Sequence, residues 1–545
     1  MRLGQALQAW REALGSDAVV DGTAVPSRYR ECTSGATRSV PAVLRPASTA
    51  EVSKAVEIAA RFRLPLHPIS TGHNWGYGTA LAAAAESVVV DLSRMCGIRD
   101  FDEDLGVITV EPGVTQGALA EFFRERDAPF LVPVTGAGPS CSILGNALER
   151  GYGITPISDH ASAIMGIEAV LPDGSVLRPV LADLGAPDAA RVFRWGVGPY
   201  LTGLFLQGGF GIVTSMTLAL ARRPESVKAF VMSASKNVTP EQLVVAIREV
   251  LRLFPSTVGG INLMNARRVL AMSVPYPRGR LGADGLIPDA VIEELTRGRE
   301  IGEWTVYGTL YGTRGVVAAV EREIRRLLKP LAARLLVVSR PMAHTMRKIA
   351  AKLPARMRRR FGPAADTLAS SLELVAGEPN ETALPLAYWV SGSRPRDGSS
   401  LDPARDGCGL IWYSPIVPMR PETVRRYLDF LVPTMRKHAL EPLVTLTSLS
   451  ERCFDSSVPL IFDRSSEVAV GRAHACYMEL LEGGRRLGFM PYRMHVDGMS
   501  WLTRRSSVHW DVIERINNTI DPYGIVAPGR YCRAPSKQIG ELDQV

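Results

Sequence analysis

The chain has 545 residues, 46% of them apolar and 22% charged, which is enough for large buried cores and too much for one ordinary domain, so two or three domains are expected. Its net charge of +8, from 63 basic against 55 acidic residues, is a modest excess over a large surface and does not imply a nucleic-acid partner. No run approaches the roughly 20 apolar residues of a membrane helix, and Arg11, Glu12 and Asp17 interrupt the N-terminal stretch where a signal peptide needs an unbroken apolar core. A soluble, cytoplasmic protein with neither membrane nor nucleic-acid partner is the expectation.

In chain order, residues 1–20 read as an amphipathic helix with Leu3, Leu7, Trp10 and Leu14 on one face. A strand near 42–45, a helix over 49–62 begun by Ser48 or Thr49, and a strand at 65–69 make a strand, helix, strand unit. It runs straight into the glycine-rich turn STGHNWGYGTA at 70–80. Two strands and a helix over 116–126 follow. Next comes TGAGPSCSILGNALERGYGITPISDH at 135–160, whose five glycines suit a backbone that approaches a ligand closely and turns its amides toward an anion. The pair GIEAVLPDG and SVLRPVL joins through an Asp173-Gly174 hairpin turn.

Beyond about 224, helices such as PEQLVVAIREVLRLF and VVAAVEREIRRLL alternate with strands such as EWTVYGTLYG and GLIWYSPIVP. The rhythm repeats weakly at 422–430, as if two halves formed one antiparallel sheet. The turn-rich DPYGIVAPGRY at 521–531 is expected to return to the first domain. No GxGxxG follows the first strand, which speaks against a doubly wound dinucleotide fold. Seven scattered cysteines without a CxxC pair argue against a disulfide framework and against a metal site.

STGHNWGYG, VEPGVTQGAL, LGNALERGYGITPISDH, RWGVGPYLTGLFLQGGFGIVTSM, PYRMH and GIVAPGRY stand in the order and spacing of the vanillyl-alcohol oxidase and para-cresol methylhydroxylase family of flavoproteins, which the chain resembles over nearly its whole length. The resemblance implies an α+β fold: an FAD-binding domain over 1–223, an α/β cap over 224–498 with a large antiparallel sheet, and a segment over 499–545 returning to the FAD-binding domain. It implies that Ser70, Thr71, Gly72, His73 and Asn74, with Gly145 and Asn146, hold the pyrophosphate of FAD, and that Gly211, Ile212, Val213 and Arg530 also lie at the cofactor. Asp159 would act as acid or base near the flavin; its other reading is a turn aspartate capping its own backbone. Tyr492 and Arg493 would bind a phenol oxygen as phenolate, a donor and a fixed cation being what ionises a phenol of pKa about 10.

Two residues depart toward the berberine-bridge-like relatives. His73 matches their flavin-linked histidine, or else it only hydrogen-bonds a phosphate or a loop carbonyl. Cys141, four residues before Gly145, matches their cysteine that makes a second flavin bond, or else is a buried apolar residue. No histidine stands near Ser414, where the family's cap-based link would be, and Tyr413 is read as packing. SERCFD at 450–455 lacks the histidines of the phenol-oxidising relatives, so the substrate is expected to be neither vanillyl alcohol nor cresol.

The implied enzyme is a covalently flavinylated oxidase or dehydrogenase. It would take hydride from an aromatic or phenolic metabolite and pass electrons to O2 or an electron-accepting protein, and a homodimer is expected. The alternatives are a berberine-bridge-like alcohol or sugar oxidase, and a flavin-retaining protein without turnover. The basic run HTMRKIAAKLPARMRRRFGP at 344–363 is read as a solvated helix face or subunit contact, or as a dock for an acidic partner.

Overall fold

The computed structural model describes residues 2–393 and 399–533. Near the N-terminus a four-stranded sheet carries, in order, Val19–Asp21, Ala42–Leu44, Val88–Asp91 and Leu66–Ile69; the last three strands run parallel. The crossover between parallel strands is the helix Thr49–Phe62, started by Ser48, whose hydroxyl accepts from the Glu51 amide. Its apolar stripe Val52, Ala55, Val56 and Ala59 packs on the sheet with Ala6, Leu7 and Trp10. The N-terminal helix stops at Leu14, short of the expected 20 residues, because Gly15 takes a positive φ of 89°.

The C-terminal segment joins this sheet directly. Leu66 donates to the Ile525 carbonyl at 2.7 Å and accepts from the Ala527 amide at 2.8 Å, and Ile525, Val526 and Ala527 are buried in the same core. A five-stranded antiparallel sheet follows, ordered Ile98–Asp102, Val107–Val110, Ile212–Ala219, Ile164–Val170, Val176–Leu177. The Asp173-Gly174 turn closes its last hairpin.

The largest sheet has seven strands, all antiparallel to their neighbours: Ala332–Ser339, Ser226–Ala234, Trp304–Gly312, Val258–Asn265, Thr445–Ser448, Cys453–Asp455 and Ile416–Pro418. Helices Pro240–Leu253, Arg314–Leu328 and Pro421–Lys437 bury their apolar stripes against one face of it. The expected single strand GLIWYSPIVP is split. Cys408–Tyr413 pairs with Val458–Asp463 in a separate ribbon, and only Ile416–Pro418 joins the large sheet. Pro415, which has no amide to donate, falls at the break.

The basic run lies on the hairpin of helices Arg340–Lys352 and Ala355–Val375, with Lys348, Lys352, Arg356 and Arg358 exposed. Tyr413 is fully buried, and its hydroxyl donates to the Leu480 carbonyl at 3.1 Å; it packs, as expected. Among the described residues no helix is long and apolar enough to cross a membrane.

Candidate active site

Two glycine-rich loops meet. Gly72 has φ 73°, and among the described residues the amides of Thr71, Gly72 and His73 donate to no protein acceptor, which makes this turn a concavity of free N–H groups suited to an anion. The second loop lies against it: His73 Nδ1 is 3.1 Å from the Ser140 carbonyl, and the Cys141 thiol reaches the His73 carbonyl at 3.8 Å and that of Ala137 at 3.1 Å. Gly145 permits the approach, since a Cβ there would sit 2.4 Å from Ser70 Oγ.

The amides of Gly145 and Asn146 are already taken, by the Ser142 hydroxyl at 2.9 Å and the Ser142 carbonyl at 3.2 Å. The Asn146 side chain is held by His160 Nδ1 at 2.6 Å. In this geometry Gly145 and Asn146 shape the cradle rather than offer their own amides. Gly211 is equally constrained, a Cβ being 2.8 Å from the Val170 carbonyl, while Ile212 and Val213 are buried where the two sheets meet. A nest of free amides beside closely apposed glycines fits a dinucleotide diphosphate, and with it FAD.

The segment PYRMH arrives from the opposite side. Tyr492 hangs from the Ser414 carbonyl by its amide, 3.2 Å, and its own carbonyl accepts from Gln207 Nε2 at 3.1 Å. Arg493 is buried; its guanidinium donates to Asn74 Oδ1 at 2.5 Å, lies 4.2 Å over the Tyr77 ring, and approaches Glu149 at 3.2 Å. Glu149, at the end of the second loop's helix, also pairs with Arg530, so one buried carboxylate joins both predicted arginines to the second loop. Tyr77 hydrogen-bonds Ser414 Oγ at 2.7 Å, and Tyr152 packs edge-on to Tyr492 at 5.3 Å. Burial pushes the Tyr77 and Tyr152 phenols up to about 12 and Tyr492 well above its ordinary value. All three keep their protons and can donate.

Asp159 caps the turn that follows it, accepting from the Ala161 amide at 3.1 Å and from Ser162 at 3.3 Å. Asp455, by contrast, is enclosed, 4% exposed, with Oδ2 accepting from Ser457 at 2.8 Å and Oδ1 without a partner among the described residues. Burial raises it to about 7 against the opposing pull of Arg493. The sequence reading missed Tyr77, Tyr152, Glu149 and Asp455. The first three sit inside the glycine-rich motifs, and Asp455 ends the histidine-free SERCFD stretch.

Burial draws the His73 imidazole below its usual pKa and pushes the Cys141 thiol up to about 12, so at neutral pH the first is uncharged and the second protonated.

Residues 40–179 match the family described as FAD binding domain. Over 530 residues the chain is 32% identical to 1'-carboxy-chondrochloren decarboxylase of Chondromyces crocatus, covering 97% of each protein. Over 531 residues it is 25% identical to the 4-cresol dehydrogenase [hydroxylating] flavoprotein subunit of Pseudomonas putida, covering 96% of this chain and 95% of the other. The crystal structure of p-cresol methylhydroxylase with substrate bound superposes with a TM-score of 0.86 at 23% identity, covering 98% of this chain and 97% of that one.

Proposed function

The chain belongs to the vanillyl-alcohol oxidase and para-cresol methylhydroxylase family and is an FAD-linked oxidoreductase, and from that premise we propose that it oxidises a phenolic or related aromatic small molecule. The observation that carries the reading is the convergence of Tyr77, Tyr492 and Arg493 on the Asn74 turn. A phenol oxygen placed there would meet two buried hydroxyl donors and one guanidinium, the combination that favours phenolate at neutral pH. Electron release from the phenolate then eases loss of hydride at the benzylic position. FAD supplies the hydride acceptor.

Asp455 takes the part of proton acceptor in this reading, because its carboxyl exchanges a proton near neutrality whereas that of Asp159 is engaged in backbone caps. Glu149 positions Arg493 and Arg530. Residues 1–223 and 499–545 hold FAD and residues 224–498 cover the substrate; of these, 534–545 lie outside the described residues. His73 carries a covalent bond to the flavin, its ring oriented by the Ser140 carbonyl, and Cys141 beside it is the residue a second bond would use. Reoxidation by O2 or an electron-accepting protein, assembly as a homodimer and a cytoplasmic location complete the proposal.

Acid denaturation of the purified holoprotein followed by peptide mapping tests the attachment: the flavin mass is expected on the peptide containing His73, and free FAD alone would refute the covalent bond. Anaerobic mixing with a series of para-alkylphenols tests the substrate class. Bleaching of the flavin is expected, and a flavin that none of them reduces would refute it.

A further inference from the structure

Arg267 and Arg268 are consecutive residues at the start of the helix Ala266–Ser273 and have opposite surroundings. Arg267 is fully engaged: it pairs with Glu441, donates to the Ile287 carbonyl at 2.7 Å and reaches Asp289 at 2.6 Å. In Arg268 the Nε and Nη1 atoms are buried with no hydrogen-bond partner among the described residues. Burial alone draws this guanidinium down to about 10, with no acidic group acting against the loss of water. A buried charge without a counter-charge is strongly destabilising and is rarely kept for structure.

Its position says what it serves. The helix begins where the strand Val258–Asn265 ends, with Asn265 Oδ1 accepting from the Arg268 amide at 3.0 Å. Ala271, one turn beyond Arg268 on the same side of the helix, is buried in one cluster with Leu270, Trp75 and Cys141. The helix that carries Arg268 thus contributes to the apolar cluster that also takes in Trp75 and Cys141 of the cofactor loops. The same strand carries Asn262 and Met264 on the face of the large sheet that Asp455 shares, through the pairings Asn262 with Thr447 and Thr447 with Asp455. Other orphaned polar atoms mark that face: Tyr307 Oη, Thr445 Oγ1 and Asp455 Oδ1.

We propose that Arg268 is a specificity residue that binds an anionic substituent, a carboxylate above all, on the substrate. The substrate class is then a phenol bearing a carboxylate, its oxygen held by Tyr77, Tyr492 and Arg493 and its anionic end by Arg268. The second half of this statement rests on the phenol reading given above; the first half does not. A guanidinium whose Nε and Nη1 are buried and unpartnered matches a carboxylate in charge and donor chemistry, and occupation of the site removes the cost of the unpaired cation.

The test uses holoenzyme and three probes: para-propylphenol, its analogue with a terminal carboxylate, and phenylpropanoate, which has the carboxylate and no hydroxyl. Half-saturation of anaerobic flavin reduction or of the flavin spectral change gives the affinities. The carboxylated phenol is expected to bind about 100-fold more tightly than the neutral one. In Arg268→Met that ratio falls to about 1, and Arg268→Lys restores part of it. Ligand-free Arg268→Met is expected to melt no lower than the wild type, since it removes an unpaired buried charge.

A wild-type ratio near 1, a ratio unchanged in Arg268→Met, or a lowered melting temperature would overturn the assignment. So would loss of FAD or a changed ligand-free flavin spectrum in Arg268→Met, which would give the residue to the cofactor. If phenylpropanoate alone binds and does so through Arg268, the anion site stands and the phenol reading falls.

Discussion

The large sheet presents two faces that are built for different ends. On one, Phe230, Met232, Ile261, Leu263, Val306, Leu310, Val417, Leu446 and Phe454 are buried in a single apolar core under three helices. On the other, the cross-strand row Asp455, Thr447, Asn262, Tyr307 is polar, and Asp455, Tyr307 and Thr445 each leave a buried oxygen unpartnered. Because successive side chains of a strand point to opposite faces, the same residues that fold the cap also present a surface whose polar groups await a ligand. One face holds the structure together; the other is kept at a cost in stability, as binding surfaces commonly are.

Substitutions on the two faces should therefore differ in sign as well as size. Phe454→Ala on the apolar face is expected to destabilise the protein by about 4 kcal/mol through the cavity it leaves, seen as a lower urea midpoint. Asp455→Asn tests the opposite face through pH. The folded pKa of Asp455, about 7, lies above its ordinary 3.8, so the folded protein holds a proton that the unfolded chain releases. That contribution is complete below pH ~4 and is lost as pH rises through about 7. The variant should match the wild type at acid pH and exceed it by about 4 kcal/mol above neutrality; equal stability at every pH would contradict the assignment. The smallest effect is expected for Thr445→Val, which removes an unpartnered hydroxyl and should raise stability by about 1 kcal/mol, whereas a loss of that size would mean the hydroxyl is satisfied.

Much of the fold was legible because local signals agreed with the tertiary outcome. Ser48 before an apolar stripe gave the helix Thr49–Phe62 at its true bounds, and the glycine-rich 70–80 and 135–160 segments proved to be adjacent loops. The C-terminal return also followed, Val526 pairing with Leu66. What could not be read was anything set by pairing across the chain. The break at Ser414 depends on two strands finding different partners, and Asp455 acquires its raised pKa only from burial, which outweighs the opposing pull of Arg493. Tyr77, plain in the sequence, became a site residue only once Arg493 lay over its ring. Arg268 is invisible in one dimension, since it differs from Arg267 solely in which acids are near.

The central claim, that Tyr77, Tyr492 and Arg493 activate a phenol for oxidation, is tested most directly by a matched pair. Anaerobic flavin reduction is measured with a para-alkylphenol substrate and with its O-methyl ether, which cannot become a phenolate. The account predicts bleaching by the phenol and a rate at least about 100-fold lower with the ether. Equal rates for the two would contradict it.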